Sequence, residues 1–165
     1  MSTLAFACAC GQVQFETAGD PIITTACHCD DCQAGGQQLE ALPGAPAVLD
    51  TWGGTAYLLY RKDRVRCARG IEHLRRLKLR DRSPTNRVVA GCCNTPMLVD
   101  FDSGPHWISV YRDRLGPAAP PLGSRVQVKF APPDSPLPPD LPSYAGYPLS
   151  FVGKMIAARI AMLFG

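Results

Sequence analysis

The 165-residue chain contains no uninterrupted apolar run of the roughly 18 residues that a membrane-spanning helix needs. Its first residues, MSTLAFACACGQ, lack both a basic segment and an adequate apolar segment, so they do not read as a secretory signal. Residues 1–60 hold no lysine or arginine, only six acids: Glu16, Asp20, Asp30, Asp31, Glu40 and Asp50. Long helical periodicity is missing before residue 149. With 46% hydrophobic and 19% charged residues, the composition excludes a disordered or fibrous chain. The length suits one core. The eight cysteines are under 5% of the chain, below the roughly 8–10% of a disulfide scaffold. A cytoplasmic, reducing location is expected, where eight thiols serve metal better than disulfides.

What is present is mainly β. Short segments with strand-like composition recur at 12–17, 21–25, 47–52, 55–60, 64–67, 73–80, 87–90, 97–101, 107–111 and 125–130. Gly, Pro, Asn and Asp punctuate them, as in a sandwich, barrel or folded-over sheet. Residues 61–82 carry ten Lys/Arg against three acids. Val65, Cys67, Ile71, Leu74, Leu77 and Leu79 interrupt the run, which favours the solvated face of strands over a patch for an anionic partner. No aromatic residue in it can stack on bases, so nucleic acid is disfavoured.

Ten of the sixteen prolines fall between Pro117 and Pro148. Proline fixes φ and lacks an N–H, so residues 131–148 are expected to be extended rather than a helix or central strand. The expected organisation is a zinc-binding β domain over 1–130, a Pro-rich connector over 131–148 and an amphipathic helix over 149–165. Leu149, Val152, Ile156, Ile160 and Leu163 share one helical face. That face is expected to dock on the β domain or on a second subunit, giving a homo-oligomer. A membrane surface is a further option, since Lys154 and Arg159 make the polar face basic.

The cysteines fall into three clusters and one single residue. Cys27, Cys29 and Cys32 form C-x-C-x-x-C, which can give three thiolates to one zinc and leave its fourth position open, as catalytic zinc requires. His28 should point away, as a neighbouring or exposed group and not a ligand. Cys8 and Cys10 need partners far along the chain, and Cys92 and Cys93 offer them for a closed structural zinc. Neighbouring residues in extended backbone face opposite ways. One of the pair, Cys93 for preference, is therefore the expected ligand, with the other joining through a turn or being a buried thiol. Cys67 reads as a small buried hydrophobe.

These motifs resemble the family of glutathione-dependent formaldehyde-activating enzymes, which includes centromere protein V-type proteins. The likeness covers about residues 5–112. It rests on Cys8-Ala9-Cys10-Gly11 before a strand, on Cys27 to Cys32 with Asp31, and on Ala90-Gly91-Cys92-Cys93-Asn94-Thr95-Pro96. Ala90 stands where that family has the first cysteine of a C-x-x-C, and Asn94 where it has a glycine. Gln33 and Ala34 replace basic residues common after the central cluster. The resemblance implies a β-tent fold, a structural zinc on the outer clusters and a second zinc on Cys27, Cys29 and Cys32 as the catalytic site. It implies a carbon–sulfur lyase that joins a small thiol such as glutathione to a small aldehyde, forming S-hydroxymethylglutathione from formaldehyde. The alternative is a non-catalytic zinc-stabilised module that binds an acidic partner through residues 61–82. A redox or metal-sensing role for the thiols of Cys27–Cys32 is a third reading.

Overall fold

The computed structural model describes residues 2–134 and 136–164. Residue 135 of the expected connector and Gly165 of the expected helix lie outside the described residues.

The protein is mainly β. Among the described residues ten strands form two sheets: β1 (Thr3–Ala7), β2 (Gln14–Ala18), β3 (Ile23–Cys27), β4 (Thr55–Arg61), β5 (Val65–Arg69), β6 (Leu74–Leu77), β7 (Thr85–Ala90), β8 (Thr95–Phe101), β9 (Trp107–Tyr111) and β10 (Ser124–Val126). The small sheet runs β1-β2-β5 and the large one β10-β3-β4-β9-β8-β7-β6. Pairing is antiparallel except between β10 and β3, which run parallel.

The large sheet is buried on both faces at its centre, so its strands read as continuous apolar runs. In β4, Leu58 and Tyr60 enter one core with Phe6, Phe15, Val88, Met97 and Val110. Their neighbours Tyr57 and Leu59 enter the other core with Leu39, Val89, Val99, Tyr111 and Val126. The small sheet closes the first core, where Phe6 and Phe15 stack at 5.5 Å. Two helices, α1 (Asp30–Glu40) and α2 (Leu149–Phe164), pack on β4 beside the second core.

Several expectations need correction. Helix α1 was not foreseen; it contains Gly35 and Gly36, each about 1 kcal/mol less favourable than Ala in a helix interior. Both are there for close approach. A Cβ on Gly35 would lie 1.9 Å from Arg87 Nε, and one on Gly36 would lie 2.5 Å from Leu49 Cδ2. Strand β1 was also missed. Residues 47–52 form a loop rather than a strand, because Glu40 Oε1 accepts both the Val48 and Leu49 N–H groups and Asp50 Oδ1 accepts those of Trp52 and Gly54. At 125–130 the strand stops at Val126, since Gln127 turns left-handed at φ 59°.

The described part of the proline-rich segment holds turns and bends without a helix, and it is anchored. Arg125 N–H donates to Pro142 O at 2.8 Å, and Tyr144 N–H returns a bond to Arg125 O at 2.9 Å. The buried Arg125 guanidinium pairs with Asp140 at 2.8 Å and lies 5.7 Å from the Trp52 ring centre.

Helix α2 seats on the β domain through residues outside the expected stripe. Met155 is buried and Phe151 packs beside it on the second core. The predicted stripe is not: Leu149 is 91% exposed, Leu163 68%, and Val152, Ile156 and Ile160 stand half exposed. The physical reason is that α2 bridges a cavity instead of lying on filled core, so its stripe borders that opening.

Candidate metal centres and cavity

The outer cluster gathers residues from two distant turns. The β1–β2 hairpin supplies Cys8 and Cys10, and the β7–β8 turn supplies Cys92 and Cys93. The four sulfurs lie within 4.8 Å of one another, and the group can hold a metal ion. Cys8 lies 3.6 Å from Cys10 and 3.8 Å from Cys92; Cys10 lies 3.3 Å from Cys92. Both members of the adjacent pair join, so the turn alternative is the one adopted. The two sulfurs lie 3.9 Å apart, and Asn94 ends the turn at φ 54°, a left-handed conformation that asparagine tolerates. Arg75 holds the Asn94 carbonyl, and Asn94 Nδ2 donates to Pro43 O at 2.9 Å. The Val13 N–H points at Cys8 Sγ from 3.3 Å, as expected around a thiolate ligand. Burial raises the Cys92 thiol to about 12, aided by its hydrogen bonds to Cys10 and Cys8. Burial also pushes Cys93 upward, but hydrogen bonds from Thr95 and Cys10 outweigh it and bring Cys93 down to about 6.

The inner cluster is built where β3 runs into α1. Cys27 ends the strand, Cys29 caps the helix, and Cys32 sits in its first turn. The Cys32 and Gln33 N–H groups both donate to Cys29 O at 3.0 Å, starting the helix. The three sulfurs lie within 4.8 Å of one another and can hold a metal ion. No fourth His, Cys, Asp or Glu joins this group among the described residues.

A helix N-terminus favours negative charge through its free N–H groups. Cys29 is accordingly held far below the ordinary thiol range. Thiol hydrogen bonds from Cys27 and Cys32 do most of this, with backbone N–H bonds from Cys32 and Asp31 adding to it. Cys27 is the complement: its hydrogen bond to Cys29 raises it to about 11. Gln33 locks the floor of the site, its Nε2 donating to His28 O at 2.6 Å and to Phe130 O at 2.7 Å.

His28 is fully buried and outside the cluster, with Nδ1 3.2 Å from Trp52 O. It is a neighbour of the site, not an exposed group. Burial holds its pKa below the usual histidine value. Cys67 joins neither group. It sits in β5 against the first core, with its thiol directed at Arg69 O.

Above the inner cluster lies a cavity of about 640 Å³. Cys27, Cys29 and Cys32 line it, with Phe101 and Trp107 on the sheet side and Phe151, Met155 and Ile156 on α2. Three further polar groups were not picked out by sequence. Arg87 is buried within the β7 apolar run, lines the cavity, and donates to Asp31 O. Tyr147 reaches the cluster; partial burial, then the charge of the cysteines, keeps its phenol protonated well above the usual range. His106 lines the cavity with Nε2 shielded from solvent and unbonded among the described residues. For Arg87 a signal exists in retrospect, since a cation inside TNRVVA must find a buried acceptor. Tyr147 and His106 come from loops and had no such signal.

Residues 1–112 match a family of unknown function, DUF6151. The chain belongs to that family. Both cysteine clusters lie inside the matched span, whereas α2, which walls the cavity, lies beyond it. No curated protein matches the chain. Among solved structures, the crystal structure of a Rhodobacter sphaeroides protein, a structural genomics target, is similar at 19% identity, covering 71% of this chain and 92% of its own, with a TM-score of 0.48.

Proposed function

We propose that the protein is a zinc-dependent carbon–sulfur lyase of the type it resembles, joining a small thiol to a small aldehyde at Cys27, Cys29 and Cys32. The observation that carries this reading is three cysteine sulfurs, with no fourth His, Cys, Asp or Glu gathered beside them among the described residues, lining a cavity large enough for a small-molecule substrate.

The donor sets suit zinc. Sulfurs around a tetrahedral zinc with bonds of about 2.3 Å stand roughly 3.8 Å apart. Four sulfur–sulfur separations in the outer cluster, 3.3 to 3.9 Å, bracket that value. Four thiolates close a structural site, and three leave one position for a substrate. When bound at the inner site, zinc would favour an incoming thiol as its thiolate.

The balance of the reaction is simple. A bond forms between sulfur and the aldehyde carbon, the carbonyl π bond breaks, and the thiol proton ends on the oxygen; nothing is oxidised or reduced. The chain's own residues would seat the substrates and handle that proton. Tyr147 keeps its phenol proton beside the cluster and can donate to the forming alkoxide. Arg87 offers a buried positive charge to the same end. The rival reading, a binding module working through residues 61–82, has less support. Arg66, Arg76, Lys78 and Arg80 of that run face Glu16, Asp100, Asp102 and Asp31.

The test is the rate of adduct formation from a thiol and formaldehyde over the uncatalysed rate, followed by NMR. Cys29→Ser should remove the acceleration and leave the fold intact. Unchanged acceleration in that variant would overturn the reading.

A further inference from the structure

The walls of the cavity bear on which thiol it takes. Glutathione carries two carboxylates and an ammonium group. Facing it, the cavity offers one buried cation, Arg87, and one exposed cation, Arg159, and its Asp31 carboxylate is already paired with Arg80. The rest of the lining is largely hydrocarbon and aromatic. Phe101 and Trp107 meet edge to face at 5.7 Å on the sheet side. Across from them, Val152, Ile156 and Ile160 of α2 line the cavity yet are 42%, 56% and 51% exposed. Large apolar side chains left half in water around a cavity lose that exposure when an apolar ligand covers them. A volume of about 640 Å³ lies within the range of small-ligand sites.

We propose that the cavity selects an apolar or aromatic thiol over glutathione, with the sulfur at the three-cysteine cluster and the hydrocarbon body between Trp107 and the Ile156–Ile160 wall of α2. This rests on the reading above that a thiol docks at the inner cluster. Specificity lies in α2: its wall is apolar, and it supplies no carboxylate to repel and one cation, Arg159, too exposed to anchor a tripeptide.

The test is calorimetric titration of the zinc-loaded full chain with phenylmethanethiol, glutathione and phenylmethanol, in wild type, Ile156→Asp, Ile160→Asp and Cys29→Ser. Both isoleucines are more than half exposed, so either aspartate should leave the fold unchanged, and the pair guards against failure of one variant. Phenylmethanethiol should bind at least about tenfold tighter than glutathione, the effect of covering roughly one CH₂-rich side chain. Either aspartate should lower phenylmethanethiol affinity about tenfold. Cys29→Ser should reduce phenylmethanethiol to the level of phenylmethanol. Glutathione binding as tightly as phenylmethanethiol, with both weakened in Cys29→Ser, would overturn the apolar preference and leave the thiol site standing. Phenylmethanethiol affinity unchanged in Cys29→Ser would overturn the seating at the cluster and this proposal with it.

Discussion

At the residue scale, five of the clustered thiols differ in acidity because they share protons. In the metal-free protein Cys29 and Cys93 are held below the ordinary thiol range, and Cys27, Cys32 and Cys92 above it. A lowered pKa leaves more thiolate at neutral pH, and thiolate is the reactive form. Chelator-treated protein exposed briefly to iodoacetamide near pH 7 should therefore be alkylated first at Cys29 and Cys93, as peptide mass spectrometry would show. Early modification of Cys27 or Cys92 would contradict this proton sharing. Gly35 is a second residue-scale case. Exchanging glycine for alanine in a helix usually gains up to about 1 kcal/mol. Here the added Cβ meets the Arg87 guanidinium at 1.9 Å, so Gly35→Ala should cost about 1–3 kcal/mol through overpacking. The melting temperature measures it, and a rise would show that Arg87 moves aside freely.

At the element scale, the outer cluster ties the β1–β2 hairpin of the small sheet to the β7–β8 turn of the large one, whereas the inner cluster joins only a strand and the helix that follows it. Metal bound across the two sheets contributes to folding directly. Cys10→Ser should thus lower thermal stability far more than Cys29→Ser, which should stay near wild type; equal losses would contradict this division. The proline-rich segment has an electrostatic anchor as well. Hydrogen bonding and charge from Arg125 hold Asp140 below the usual carboxylate range. A carboxylate depressed in the fold adds stability above its unfolded pKa and loses it as pH falls through the folded one. Residues 131–148 should therefore become more open to an acid-active protease only below the usual carboxylate range, and Asp140→Asn should show that opening at neutral pH. Protection unchanged in the variant would leave the backbone bonds of Pro142 and Tyr144 as the whole anchor.

At the scale of the whole molecule, legibility followed the reach of each constraint. Cysteine spacing is local, so the inner site could be read directly from Cys27-His28-Cys29-Asp30-Asp31-Cys32. The outer site could be paired because Cys8 and Cys10 needed distant partners, but the turn that admits both Cys92 and Cys93 depends on Asn94 being held by Arg75 and Pro43. Helix α1 was hidden because its glycines answer to Arg87 and Leu49, which are remote in sequence. What the stripe of α2 covers was open for a related reason. Periodicity identifies the apolar stripe but cannot say whether core or cavity lies beneath it. Both readings of the molecule, stapled scaffold and open site, meet in one count: zinc per chain, by elemental analysis, in the wild type and in Cys27→Ser. Two ions in the wild type falling to one in the variant are expected. One ion in both would contradict the open inner centre and leave a structural zinc protein with a bare thiol cluster.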